Sequence, residues 1–204
     1  VNQGDILQRQ RNLDTARQVY QQLVQYASEN HDTLYVVRGL ANIGITHYFE
    51  GGLDTALSYY LNALELVNEK SWEANLYNNI ALVYKRRQDY PEAIKYYLLA
   101  SEVYAGLGNL QRKLTIDLNL VSVYKASGQY ERAMSMFKEI AHVAREHGFT
   151  HELARAYNRI AYLSLLEGDT LRAALEYDSA YTLFASLEDY RGMAIASGNK
   201  AEFL

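Results

Sequence analysis

Apolar residues recur along the chain every three or four positions, the spacing of one helical face, in blocks of about 16 residues broken by Gly, Asn and Asp. Within these blocks a phrase repeats: LDTARQVY from Leu13, LDTALSYY from Leu53, YPEAIKYY from Tyr90, YERAMSMF from Tyr130 and TLRAALEY from Thr170. Its alanines, Ala16, Ala56, Ala93, Ala133 and Ala173, are 40, 37, 40 and 40 residues apart. One turn beyond each stands an aromatic: Tyr20, Tyr60, Tyr97, Phe137 and Tyr177. A small and a large residue on one helical face let a second helix nest over the alanine while the ring fills the space beside it.

A second phrase precedes each of the later alanines: LANIG (40–44), YNNIA (77–81), DLNLV (117–121) and YNRIA (157–161), with SGNKA (197–201) after the last. The two phrases together predict repeats of a first helix, a tight turn, a second helix and a short link. The turns carry breakers and caps at Gly51-Gly52, at Asp89 before Pro91, at Gly128 and at Gly168-Asp169. Pro91 stands at a helix start, where its missing N–H costs least. Links fall at Asn30–Asp32, Glu69–Ser71, Gly106–Asn109, Gly148 and Glu188-Asp189. The predicted organisation is one repeat domain over 1–204, with a partial repeat at 1–30, full repeats at 31–69, 70–108, 109–148 and 149–188, and a partial one at 189–204. A first-helix stub is expected at Asn2–Gln10, and the last partial repeat, ending Ala201-Glu202-Phe203-Leu204, still reads like an internal helix, so a longer parent protein is expected.

The combination L/Y-x-x-I-G/A-x-x-Y, a turn, then A-x-x-x-Y-x-x-A resembles the tetratricopeptide repeat. The match is fullest in the third repeat, at Tyr77, Ile80, Ala81, Tyr84, Tyr90, Ala93, Tyr97 and Ala100. The period near 40 is similar to the long-repeat branch of the family seen in signalling adaptors and bacterial regulators. The resemblance implies an all-α, right-handed superhelical solenoid of antiparallel helix pairs. Two positions depart from it: His47 and Ser164 stand where the first helix usually has tyrosine.

Composition narrows the chemistry. A net charge of −4 gives no basic footprint for nucleic acid or anionic lipid, and the absence of Cys removes disulfides, thiolate metal sites and a cysteine nucleophile. No apolar run approaches the length of a membrane span. A cytoplasmic compartment is expected, with a periplasmic one as the alternative. His147 and His151 are separated by Gly148, which takes them off a common helical face, and Arg155 stands where a second imidazole after His151 would be needed. Gly106-Leu107-Gly108 follows a helix rather than a strand and lacks the third glycine of a dinucleotide loop. No catalytic residue, metal ligand or cofactor is therefore assigned. His47 is expected to pack inside a helix pair.

Binding has more to rest on. Stacked helix pairs of this family leave a concave face lined by first helices. Asn recurs there at Asn42, Asn79, Asn119 and Asn199, with Arg159 in the fifth place. Mid-helix Asn is mildly unfavourable, so propensity does not account for the recurrence. Its amide offers donors and an acceptor that match an extended peptide backbone; the other reading is a bond to the neighbouring helix that fixes stacking. The resemblance adds Arg38, Asn75, Asn78, Leu82, Lys85, Arg155, Tyr162, Tyr48 and Leu165 to the groove. Asn119, Arg155 and Arg159 resemble half of a clamp that grips a terminal carboxylate in some members, but Asn78 and Leu82 depart from its other half. An acidic group in the partner is the resulting expectation. The function expected is a non-catalytic peptide- or protein-binding module, the regulatory or sensory segment of a signalling protein. A scaffold that self-associates through its ends is the alternative.

Overall fold

The computed structural model describes residues 12–203, and among them are ten helices and no strand. They are α1 (Leu13–Glu29), α2 (Thr33–Glu50), α3 (Leu53–Leu66), α4 (Lys70–Arg86), α5 (Tyr90–Gly106), α6 (Leu110–Ala126), α7 (Tyr130–Glu146), α8 (Thr150–Leu166), α9 (Thr170–Ser186) and α10 (Tyr190–Phe203). The stub expected at Asn2–Gln10 lies outside the described residues. The odd spacing of 37 has a local cause: α3 has 14 residues, whereas α1, α5, α7 and α9 have 17. About one turn has been lost from one second helix, and the link after it leaves through extended Val67 rather than a left-handed residue.

Elsewhere side-chain caps and left-handed residues close the helices. Asn12, Asp32, Asp89, Asn109 and Asp169 accept from the backbone N–H three residues on, satisfying donors at each helix start. The turn before Pro91 has no glycine, and there Gln88 itself takes a φ of 62°.

By internal packing the chain divides into two compact units, one ending at Gly108 and one beginning at Asn109. In unit 1, α1 to α5 pack each on the next, around Val37, Ala41, Ala56, Tyr60, Ala63, Leu76, Ile80 and Val83, with Ala16, Tyr20 and Ile43 as a second cluster. In unit 2, α6 to α10 do the same, with Ala154, Ala180, Phe184 and Ala196 forming one cluster. All five phrase alanines and their aromatics are buried. Gly44 shows how tight the fit is: a Cβ there would lie 2.5 Å from Cε1 of Tyr60.

The hydroxyls of Tyr97 and Tyr177 are buried, with no hydrogen-bond partner among the described residues. Burial raises both phenols above their usual range because the phenolate cannot be solvated. Tyr130, which opens the fourth of the repeated phrases, is 47% exposed, because it begins α7 at a turn. Tyr104 was missed: it is buried, and its hydroxyl donates to Oδ1 of Asn75 at 2.7 Å.

His47 packs as expected, stacked on Tyr59 at 5.6 Å between ring centroids, with Nδ1 3.6 Å from a Glu50 carboxylate oxygen. Burial and the Arg17 guanidinium lower its pKa, outweighing the pull of Glu50. A base with a lowered folded pKa stabilises the fold while neutral, above the unfolded value near 6.5, and that contribution is lost as pH falls through the folded value. Acidification below about pH 6.5 should therefore reduce stability, and His47→Gln should flatten that part of a melting-temperature-against-pH profile.

Candidate functional site

The expected site residues lie on first helices, α2 and α4 in unit 1 and α6, α8 and α10 in unit 2. Positions 75, 79 and 82 run along one side of α4 at spacings of four and three, with 78, 82 and 85 beside them at the same spacings, and 155, 159 and 162 do likewise on α8.

In unit 1, Asn42 is half-buried, and its amide makes no hydrogen bond among the described residues. Asn79 accepts from Nδ2 of its neighbour Asn78 at 3.3 Å. Asn75 is partly committed to structure through Tyr104, which crosses from α5. Arg38 lies over the rings of Tyr35 and Trp72, 5.0 and 5.7 Å from their centroids, so its cation is spread on an aromatic floor. Tyr48 lies under Arg86, whose guanidinium also donates to the Tyr48 carbonyl. Lys85 is half-buried.

In unit 2 the side chains are more strongly charged. Asn119 is half-buried on α6. Arg155 and Arg159 line a cleft of about 390 Å³ between α8 and α10, together with His151, Asn158, Phe184, Asp189, Arg191, Gly192 and Ile195. Burial and the neighbouring Arg159 charge lower the Arg155 pKa, offset in part by Glu152. Tyr162 lies outside that cleft, with Nζ of Lys125 4.1 Å above its ring. Burial and Arg159 lower the Lys125 pKa as well. Asn199 donates to Oδ1 of Asn158 at 3.4 Å, so at this point the asparagine series ties α10 to α8.

Glu152 is only 4% exposed; its Oε1 faces Nε2 of Gln111 and Oγ1 of Thr115 at 3.4 and 3.5 Å, and its Oε2 has no hydrogen-bond partner among the described residues. A second hollow, of about 670 Å³, lies between α9 and α10 beside Tyr177, Tyr181 and Ala196, bridged by Lys200 and Asp178 at 2.6 Å. Among the described residues no three His, Asp or Glu side chains converge as metal ligands, and no helix is long and apolar enough to cross a membrane. Sequence reasoning passed over Arg191 and Asn158. The repeat register offered one signal, since Arg191 stands 40 residues after His151 at the same repeat position.

Helix pairs with an alanine–aromatic ladder inside and a polar first-helix stripe outside define a helical-repeat binding class. Two tetratricopeptide-repeat family models match, over residues 1–29 and 72–146, together just over half of the chain. The chain belongs to the tetratricopeptide repeat family. No curated protein matches. Among solved structures, BtubC (BKLC) from P. vanneervenii is 21% identical with a TM-score of 0.78, over 92% of this chain and 79% of that one. Aspartyl phosphate phosphatase F from Bacillus subtilis is 16% identical with a TM-score of 0.89, over 98% of this chain and 54% of that one. The Rap conjugation gene regulator of plasmid pLS20, solved in complex with the Phr* peptide, is 15% identical with a TM-score of 0.75, over 98% and 56%. At these identities the likeness establishes the fold. The chain spans little more than half the length of the last two proteins.

Proposed function

We propose that this chain is a non-catalytic peptide-binding module, the regulatory segment of a larger signalling protein, and that its first-helix stripes hold an extended partner segment. The observation that carries this reading is the recurrence of Asn at one register position, with Asn42 half-buried and its amide unengaged among the described residues. An amide so placed can donate to a carbonyl and accept from an N–H of the same peptide unit. Two similar structures support the reading by what was solved with them: one Rap regulator holds the Phr* peptide, and another Rap protein holds the Competence and Sporulation Factor.

Decapeptides selected from a random phage-displayed library against the chain provide the test. Asn79→Ala and Asn119→Ala should each weaken the selected peptides about tenfold, the worth of one lost amide–backbone pair. The melting temperature should stay within about 2 °C, because neither amide is deeply buried. Unchanged peptide affinity with a lowered melting temperature would mean that these asparagines only fix stacking.

A further inference from the structure

On the outer side of α9 the last full repeat departs from the four before it. At the position of Leu171 the earlier repeats have Asp14, Asp54, Pro91 and Glu131, and at that of Leu175 they have Gln18, Ser58, Lys95 and Ser135. The two leucines are one turn apart and share a face. At 73% and 61% they are the most exposed leucines among the described residues. The core of unit 2 has no use for them, since α9 packs through Ala173, Tyr177, Ala180 and Phe184 on its other side. Glu176 departs in the opposite sense, standing where the earlier repeats have Val19, Tyr59, Tyr96 and Met136. It shares one shoulder of the leucine face with Arg172, four residues before it. Among the described residues neither Arg172 nor Glu176 has an ion-pair partner within 4.0 Å. Burial raises the Glu176 pKa, and Arg172 and Arg145 offset this only from longer range.

We propose that this face of α9 is a homodimer surface, on which a second copy of the chain lays its own α9 antiparallel across a two-fold axis. With the axis beside Ala173, Leu171 of each copy meets Leu175 of the other. The same pairing brings Arg172 of each copy opposite Glu176 of the other, because two residues on one shoulder exchange places when the helix is reversed. The midpoints of the leucine pair and of the charged pair are one residue apart, about 1.5 Å along the helix, a gap that these long side chains span. The face is thus complementary to itself in shape and in charge, which is why a second copy, rather than an unrelated helix, is the occupant. Four leucines and two ion pairs make a small interface, below the roughly 1,200 Å² at which stable complexes begin, so the dimer is weak and depends on concentration. The assignment is independent of the peptide-binding reading, since it uses a second helix and not the first-helix stripes.

Sedimentation equilibrium of the whole chain from about 5 to about 500 μM tests the assignment directly. A monomer–dimer equilibrium is expected, with the dimer gaining as concentration rises. Leu171→Gln with Leu175→Gln should weaken dimerisation about tenfold or more and leave the melting temperature of the dilute chain unchanged, since both side chains are exposed. Arg172→Glu alone and Glu176→Arg alone should each weaken it about threefold, by setting like charges face to face. Mixed in equal amounts, the two variants should pair again, because opposite charges then meet across the axis. The chain carrying both exchanges should dimerise as the parent does. A role for these charges within a single chain would give no such rescue by mixing. A parent chain that stays monomeric at the highest concentration, or a dimer that survives the leucine changes, would overturn the proposal. So would a mixture that pairs no better than either charge variant alone, or growth beyond two copies, which a two-fold face does not permit.

Discussion

Tyr97→Ala should cost about 3–5 kcal/mol, the range for emptying a large buried aromatic site. Tyr97 is 0% exposed, so the whole ring is lost from the core and the cavity has no route to solvent. For a chain of this size the melting temperature should fall by roughly 10 °C or more. Amide exchange should rise first in α5 and in α4, which packs along it. Tyr97→Phe should behave in the opposite way. The hydroxyl it removes is buried with no partner among the described residues, and an unmet polar group costs about 1–3 kcal/mol, so the variant should be as stable as the parent or more so. The chain already contains this experiment: the fourth repeat has Phe137 at the same position, 1% exposed. Equal losses for the Ala and Phe variants in chemical denaturation would mean that the Tyr97 hydroxyl is satisfied after all.

The second large effect is expected at Gly44. A methyl group there would meet Tyr60 ring carbons at 2.5 and 2.8 Å, and that ring is itself only 2% exposed and cannot swing aside. Overpacking of this kind costs about 1–3 kcal/mol. The helical gain of Ala over Gly, about 1 kcal/mol, offsets part of it, leaving a net loss of up to about 2 kcal/mol in Gly44→Ala. Gly198→Ala is the control: it lies within a helix too, but nothing stands within 4 Å of its Cβ position, so the substitution should be neutral or stabilising. Denaturation midpoints of the two variants should move in opposite directions. A stabilised Gly44→Ala would show that the α2–α3 contact yields easily.

Much of the fold was legible because its determinants are local. An alanine, an aromatic one turn later and a breaker before the next block recur whatever the rest of the molecule does, and they placed the second helices and nearly every turn. The shortened α3 was legible too, as a spacing of 37 among spacings of 40. The link after it was placed less well: Lys70 and Ser71, expected in the link, are already in α4. No glycine or cap marks that boundary, so the chain carried no local signal there.

The asparagine series shows where legibility ended. Equal spacing made Asn42, Asn79, Asn119 and Asn199 look alike, yet the Asn42 amide is unengaged among the described residues, Asn79 accepts from Asn78 and Asn199 binds Asn158. Asn75, drawn into the groove by resemblance, spends its carbonyl on Tyr104, 29 residues away. Arg155 and Arg159 could be named from their register, but their cleft is completed by Arg191, Phe184 and Gly192 from neighbouring helices.

The sequence by itself determined the repeat register, the helix pairing and the all-α class, since periodicity along a chain is set by backbone geometry and side-chain size at short range. The tertiary structure alone decided which polar groups are satisfied, which tyrosine hydroxyls are stranded and which arginines share a cleft. Those outcomes turn on ångström-scale distances between residues some 30 to 40 positions apart, and a hydrogen bond or ion pair is made or lost within about one ångström.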